Sequence, residues 1–418
     1  MKKILLSLVF IACAATSFAC TSLIVSGGAT ADGRPVMLKH RDTGTLDNRI
    51  DYFARTDSTL AFIGLVNVPD TDGSVWTGTN EEGFSIMNTA SYNLRRDTLD
   101  CPMDQEGVIM RLALQSCRTT ADFESMLNRL LAPDDNGYVK PLGAEANFGV
   151  IDAVGGAAYY EVNNFEWTKF DVNEDPAGYR VVTNFSFSGR ENEGMGYERY
   201  QTASAVMREN ESLLAQGLDH RFLFDSLSRS YRHEVMGVNY NATNAPRMAP
   251  DMNFIPRRMT SASIVIEGVR PGENPLHTVM WTLLGYPACT VALPLMVGEE
   301  NTLPEYVQDA CPSNGHSPLC DAAMRIKNQY IFPLRNLGGN SSNYFSTEVL
   351  FQGVEGKPSI LGCARQADVA VYRSFHHVFT SWRDGKIHDA RFWQRYRQIS
   401  SHWFTFYQNA YQDYLRNN

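Results

Sequence analysis

Outside its first nineteen residues the chain has no apolar run that could cross a membrane. Within them the apolar part, Ile4 to Ala15, is also too short, since a spanning helix needs about 20 such residues. There is no excess of positive charge. Lysine and arginine total 37 against 46 aspartates and glutamates, for a formal net charge of −9. No basic stripe marks a face for nucleic acid, so nucleic acid is excluded as a partner. The nine histidines are scattered. Cys-x-x-Cys and His-Glu-x-x-His are both missing, so no metal and no other cofactor is expected. Repeats, low-complexity tracts and linkers are absent too. With 44% hydrophobic and 20% charged residues, that leaves an ordinary globular chain.

What is present begins with a leader. Met1-Lys2-Lys3 is a short positive segment, an apolar stretch follows, and Ser17-Phe18-Ala19 puts small residues three and one positions before Cys20. This is the pattern of a secretory signal. Residues 1–19 are expected to be removed, leaving 20–418 as one domain, exported to the periplasm or the extracellular space. Cys20 then becomes the first residue. Three roles are open to it: a catalytic N-terminal nucleophile, the lipid-acceptor cysteine of an envelope lipoprotein, or a half-cystine. Ser17 and Phe18 suit the lipoprotein pattern poorly. The chain also runs straight into the strand-like Ser22-Leu23-Ile24-Val25-Ser26 rather than a flexible tether.

Cys13 leaves with the leader. Six further cysteines remain: Cys101, Cys117, Cys289, Cys311, Cys320 and Cys363. Export permits disulfides. Cys311 and Cys320 flank a Pro/Ser/Asn/Gly-rich loop and are the expected local bridge, with buried free thiols as the other outcome.

Periodicity predicts strands over 21–26, 35–40, 61–68, 75–79 and 84–88, with turns at Asp32-Gly33, Asp72-Gly73 and Asn80–Gly83. Helices are expected over 105–117 and from Thr119, where Thr119-Thr120-Ala121-Asp122 looks like a capping box, to Leu131. Strands at 147–151, 157–162 and 180–184 precede helices at 198–216 and 220–231. Strands return at 261–267, 279–284 and 290–295. From Asp368 the chain is aromatic-rich, with Phe392, Trp393, Tyr396, Trp403 and Tyr407 at helical spacing. That reads as a helical hairpin packed on the body. The order suits an α+β fold of two stacked antiparallel sheets with helices outside, carrying a helical C-terminal extension over 366–418.

An N-terminal cysteine brings its own base. A thiol of pKa about 8.5 is mostly protonated at neutral pH, while an α-amine of about 7.7–8 is partly free. The amine can take the thiol proton directly or through one water, which activates the nucleophile without a histidine. The site then needs a carboxylate to hold the ammonium, a cation near the thiolate and amide donors for the oxyanion. Lys39-His40-Arg41-Asp42 ends the strand that returns beside Cys20. Asp42 could reach the amine, and Lys39 or Arg41 the thiolate, although such a charged string is more often solvated surface. Asn88 and Asn184 end later strands, where asparagine usually serves turns. Arg257-Arg258 precede the strand at 261–267.

Cys20-Thr21-Ser22 after a removable leader, the Asp32-Gly33 turn, Asp42 at the end of the second strand, Gly78 to Gly83 and Thr183-Asn184 together resemble the cysteine branch of the N-terminal nucleophile hydrolases. That branch holds choloylglycine hydrolases, penicillin V acylases, acid ceramidase-like amidases and the acyl-coenzyme A:6-aminopenicillanic acid acyltransferase group. The resemblance implies a four-layer αββα sandwich, Cys20 as nucleophile with its amine as base, Asp42 as the amine-binding aspartate, and Asn184 and Asn88 as oxyanion donors. Lys39 stands where the family often has arginine, which keeps the charge but not the planar fork. Ile264 stands where choloylglycine hydrolases carry arginine, and Arg258 is the expected substitute. The expected activity is cleavage of a linear amide in a small-molecule N-acyl substrate, with acyl transfer to a second amine as a variant. The other readings are a ligand-binding lipoprotein lipidated at Cys20 and an N-terminal-cysteine dipeptidase.

Overall fold

The computed structural model describes residues 19–70, 72–95, 103–241, 244–309, 315–337 and 343–416. The expected leader, Ala19 apart, lies outside them, as do Cys101 and Cys311. Two large antiparallel sheets form the centre. One has six strands: β1 (Thr21–Val25), β2 (Val36–Asp42), β10 (Tyr179–Val182), β14 (Thr260–Glu267), β15 (Val279–Leu284) and β16 (Leu293–Leu295), in the order β10-β1-β2-β14-β15-β16. The other is a seven-stranded meander: β3 (Asn48–Phe53), β4 (Phe62–Asn67), β5 (Thr77–Asn80), β6 (Ser85–Ala90), β7 (Ala146–Ile151), β8 (Ala157–Val162) and β9 (Trp167–Asp171). Two short pairs, β11 (Arg232–His233) with β12 (Val238–Asn239) and β13 (Met248–Pro250) with β17 (Tyr344–Ser346), tie down loops.

Strand alternation sorts the meander's side chains between two cores. Ile63, Leu65, Met87 and Tyr159 face the six-stranded sheet. Phe62, Val66, Ile86 and Tyr160 face outward onto the helices α1 (Glu106–Ser116) and α2 (Thr120–Leu130). The α2 start is the expected capping box: Thr119 accepts from the Asp122 amide and Asp122 accepts from the Thr119 amide, worth about 1 kcal/mol. Between the sheets, Tyr159 donates to Ser22 Oγ at 3.0 Å. Gly149 lets them close. A Cβ there would stand 2.7 Å from Met87 Cε and 3.1 Å from Ile24 Cδ1.

Helices also cover the outer face of the six-stranded sheet, completing the αββα layering that the resemblance implied. They are α3 (Tyr197–Glu209), α4 (Ser212–Gly217), α5 (His220–Leu223), α6 (Pro318–Ile326), α7 (Thr347–Phe351), α8 (Ile360–Arg383), α9 (Asp389–Ala410) and α10 (Gln412–Leu415). The predicted helix at 198–216 is broken at Asn210, which caps α3. The one expected over 220–231 runs as α5 and then a π-helical turn to Ser228. The C-terminal hairpin starts earlier than the aromatic pattern suggested, where Ser359 caps α8 by accepting from the Gly362 amide. Its aromatics are core. Trp382 stacks on Phe392 with centroids 3.9 Å apart. The hydroxyls of Tyr396 and Tyr407 donate to the carbonyls of Pro294 and Cys289 at 2.9 and 3.1 Å, so each polar tip is satisfied where its ring is buried.

Of the expected Cys311–Cys320 bridge, Cys311 lies outside the described residues, and Cys320 is a buried free thiol. Cys320 opens α6, and its Sγ turns to the Leu46 carbonyl at 3.8 Å.

Candidate active site

Antiparallel pairing puts Thr21 opposite His40 and Ser22 opposite Lys39. Cys20, just before β1, therefore lies beside Arg41 and Asp42 at the end of β2. On the far side of β2, Thr260 of β14 is opposite Asp42. The chemistry-bearing end of β2 is thus clamped between the start of β1 and the start of β14. Cys20 is 6% exposed, and its Sγ is 4.0 Å from the Asp42 carbonyl. It opens into a cavity of about 210 Å³ shared with Lys39, Arg41, Asp42, Trp76 and Asn88. A roomier cleft of about 420 Å³, lined by Pro318, Arg325, Phe404 and Leu415, holds no thiol.

Both carboxylate oxygens of Asp42 are engaged. Its Oδ2 accepts from Arg257 Nε at 2.7 Å, its Oδ1 accepts from Thr260 Oγ1 at 2.7 Å, and His40 Nε2 stands 3.6 Å away. Burial works against the Arg257 charge, but Asp42 outweighs it and the guanidinium stays strongly protonated. The same burial pushes His40 down to about 4 despite Asp42, so that ring is neutral at physiological pH. A further nitrogen of Arg257, Nη2, donates to the Ala19 carbonyl at 3.1 Å. Arg257 therefore spans the carboxylate and the peptide bond that precedes Cys20.

The two cations on the other side of the thiol make no direct ion pair among the described residues, although Glu106 supports the Lys39 charge and Asp42 the Arg41 charge from farther off. Lys39 Nζ donates to Asn88 Oδ1 at 2.6 Å and to the Trp76 carbonyl. Arg41 donates to Asn48 Oδ1 at 2.5 Å and Asn67 Oδ1 at 2.8 Å, with its guanidinium 5.0 Å from the Trp76 ring centroid. Burial brings Lys39 down to about 7, against the opposing pull of Cys20, and Arg41 down to about 10. Each lies within electrostatic reach of Cys20.

The asparagines differ. An ammonium can only donate, so the atom of Asn88 that meets Lys39 is the oxygen. That leaves Nδ2 as a donor at the cavity wall with no protein partner among the described residues. Asn184 lies past the end of β10, not within a strand. Its Oδ1 accepts from Arg199 Nη2 at 2.9 Å and its Nδ2 donates to the Ala90 carbonyl at 2.8 Å. It sits behind the cavity wall rather than in it.

Lys39, Asp42 and Asn88 thus meet Cys20 in one cavity, and Asn184 stands one layer back. Arg258 is a correction. Its amide donates to Asp251 and its carbonyl takes Lys327 Nζ, while its neighbour Arg257 reaches Asp42. The physical reason is the turn ahead of β14. Arg257 and Thr260 exchange backbone and hydroxyl hydrogen bonds, which aims Arg257 over the carboxylate and Arg258 away from it.

Two functional neighbours escaped the sequence reading. Arg199 is 1% exposed and donates to the Cys20 carbonyl at 2.5 Å and Thr21 Oγ1 at 3.0 Å. It fixes the start of β1 and the Asn184 amide together. Its signal was an arginine in register with Ala203 and Val206 on the apolar face of α3. Glu106 lines the cavity and fell unremarked inside the helix expected over 105–117. Elsewhere, Asp47, His316 and Asp321 bring ligand-type atoms within 4.8 Å of one another, but none of them lines the cavity.

No protein-family model matches the chain, and no curated protein does. Solved structures similar to it include a Caenorhabditis elegans N-acylethanolamine-hydrolyzing acid amidase ortholog, at 15% identity and TM-score 0.38, covering 61% of this chain and 93% of that one. A mutant of the conjugated bile acid hydrolase from Clostridium perfringens matches at 11% and 0.40, covering 68% and 93%. Penicillin V acylase from Agrobacterium tumefaciens matches at 12% and 0.33, covering 66% and 86%. At such identities and TM-scores the chemistry of this chain has to be argued from its own residues.

Proposed function

We propose that the protein is an exported amidohydrolase that cleaves a linear amide through an acyl-enzyme on Cys20. The observation that carries this reading is a buried thiol opening into a small cavity, with Asp42 on one side and the cations Lys39 and Arg41 on the other. Such surroundings lower the cost of a thiolate and position the groups that amide cleavage needs.

In the mature form, with the leader removed at Ala19, the α-amine of Cys20 lies at the Asp42–Arg257 end of the site. It takes the thiol proton as Sγ attacks the carbonyl carbon of the substrate. Lys39 and Arg41 stabilise the thiolate beforehand. The Nδ2 of Asn88 is the donor best placed for the oxyanion. The ammonium of Cys20, held by Asp42, then returns its proton to the leaving amine. Water, or a second amine in the acyl-transfer variant, attacks the thioester and regenerates the enzyme. Arg199 holds the Cys20 carbonyl throughout, so the nucleophile keeps its position.

A diacylglyceryl group on Cys20 would have to fill the cavity that the thiol opens into, so nothing here favours the lipoprotein reading. Intact-mass analysis of secreted protein, before and after a short iodoacetamide pulse, is the test. A mass beginning at Cys20, with rapid alkylation abolished by Cys20→Ala, supports the reading. A lipid-sized increment, or cleavage elsewhere, sinks it.

A further inference from the structure

Lys39 and Arg41 point from β2 to Asn88 and Asn48 of the seven-stranded sheet. Alternation therefore puts His40 and Asp42 together on the opposite face. Beside them β14 carries an extra residue. Its pairing steps from Thr260 to Ala262 while β2 steps only from Asp42 to Arg41, which is a bulge at Ser261. The Thr260 hydroxyl there lies between the two β2 side chains. Its Oγ1 is 2.7 Å from Asp42 Oδ1 and 3.1 Å from His40 Nε2. The Arg257 amide donates to the same oxygen at 2.9 Å.

That junction has one solution. A threonine hydroxyl has one hydrogen to give and two lone pairs. A carboxylate only accepts, so the hydrogen goes to Asp42. The Arg257 amide takes one lone pair, and His40 must donate to the other. Burial holds the ring neutral, aided by Arg199 and Arg257 and opposed by Asp42 and the Ile255 carbonyl. A neutral ring that donates from Nε2 carries its only hydrogen there. Its Nδ1 is then a buried acceptor with no hydrogen-bond partner among the described residues. An apolar side chain would fill the same space without that cost. What accounts for a histidine here is the hydrogen on Nε2.

We propose that His40 and Thr260 are positioning residues for the Cys20 α-amine. The Nε2 hydrogen locks the Thr260 hydroxyl onto Asp42 Oδ1. With Arg257 on Oδ2, that hydrogen bond sets the direction in which Asp42 receives the Cys20 ammonium. Neither residue touches the substrate. The proposal rests on Cys20 being the nucleophile and its amine the base.

Alkylation of mature protein by iodoacetamide, followed from about pH 5 to 10, tests it, because the midpoint for Cys20 belongs to the coupled thiol–amine pair. His40→Leu fills the space without the donor. A poorly aimed Asp42 holds the ammonium less well, so the thiol loses its cation. The midpoint should move up by about one unit, which is about tenfold slower labelling below it. His40→Gln, whose amide nitrogen can stand in for Nε2, should restore the wild-type midpoint. A packing role alone would change stability and leave the midpoint in place. An unmoved midpoint in His40→Leu, or a shift that His40→Gln shares, overturns the proposal. Should His40→Leu not fold, Thr260→Val deletes the hydroxyl and Thr260→Ser keeps it, with the same two outcomes expected and the same two fatal. The tautomer is read separately on wild-type protein. Long-range proton–nitrogen correlations of the imidazoles, with His40→Gln identifying the signals, should show His40 protonated at Nε2. Protonation at Nδ1 overturns the proposal however Cys20 behaves. If wild-type Cys20 is no faster than a free thiol at any pH, the nucleophile reading itself fails and the proposal falls with it. A fast wild-type thiol with an unmoved midpoint in the variants fails the proposal alone.

Discussion

Lys39 and Lys327 are the same residue type in the same degree of burial, and only one of them faces a cavity with a nucleophile. Burial lowers both to about 7. Both donate to backbone carbonyls, Lys39 to Trp76 and Lys327 to Arg258 and Thr260. Each has a cysteine within electrostatic reach, Cys20 and Cys289. What differs is access. Lys327 lies under the Tyr286 ring, 5.1 Å from its centroid. Cys289 is fully buried and burial holds its thiol protonated at any ordinary pH. Cys20 instead opens into space with Asp42 beside it, whereas a second cation is common to both, Arg41 at Cys20 and Arg229 at Cys289. A buried lysine–cysteine pair is therefore not a site by itself. Reactivity needs room for a substrate and enough positive charge to offset desolvation of the thiolate.

The largest contrast should come from the thiols. Cys20→Ala is expected to abolish rapid alkylation and to lower amide cleavage by about a thousandfold or more. Cys289→Ala should leave alkylation of Cys20 at the wild-type rate and destabilise the fold through lost packing. Peptide mapping after an iodoacetamide pulse reads both. Rapid labelling at Cys289 would remove the distinction between the two regions.

Next in size is Asp42→Asn. It leaves the buried Arg257 guanidinium without its carboxylate, which costs about 3–5 kcal/mol when one partner of a buried pair is removed. It also removes the group that holds the Cys20 ammonium. Urea unfolding should show the stability loss, and cleavage should drop about a hundredfold. Arg258→Ala, by contrast, should stay within about 0.5 kcal/mol of wild type, because its side chain does not reach Asp42.

The two lysines predict a pH dependence whose sign is set by their lowered values. Between about 7 and their ordinary 10.5 the unfolded chain binds more protons than the folded one. Stability should therefore rise with pH across that window, and the penalty is full below about 7. Lys39→Met and Lys327→Met should each flatten part of the rise in urea unfolding measured from about pH 6 to 10. Only Lys39→Met should also slow alkylation of Cys20 at neutral pH, by about tenfold. Equal effects of the two variants on Cys20 would erase the comparison.

How much of this was legible in the chain follows from the range of the interactions involved. The β1–β2 hairpin is local. Apolar alternation on both sides of Asp32-Gly33 brings Lys39 and Asp42 back to Cys20 without any tertiary knowledge. β3 and β9 were missed because Arg49, Asp51, Thr168 and Lys169 make them half-solvated, and their pattern resembles loop. The choice between Arg257 and Arg258 depends on a turn closed by Thr260, and composition does not encode the direction of a side chain there. Arg199 and Glu106 lie about 180 and 90 residues from Cys20, and only the packing of α3 and α1 brings them near. The helix patterns were visible, but what their charged residues would meet was not.

The smallest effect sharpens the sealed side of the comparison. Tyr407 of α9 donates to the Cys289 carbonyl, so it ties the aromatic hairpin to the segment that keeps Lys327 and Cys289 from solvent. Tyr407→Phe keeps the ring and deletes one hydroxyl, leaving the carbonyl without that donor. The expected cost is about 1 kcal/mol in urea unfolding, with alkylation of Cys20 unchanged. If Cys289 instead became reactive in this variant, a single hydrogen bond would be what keeps the second lysine–cysteine pair silent, and its silence would be a property of local opening rather than of burial.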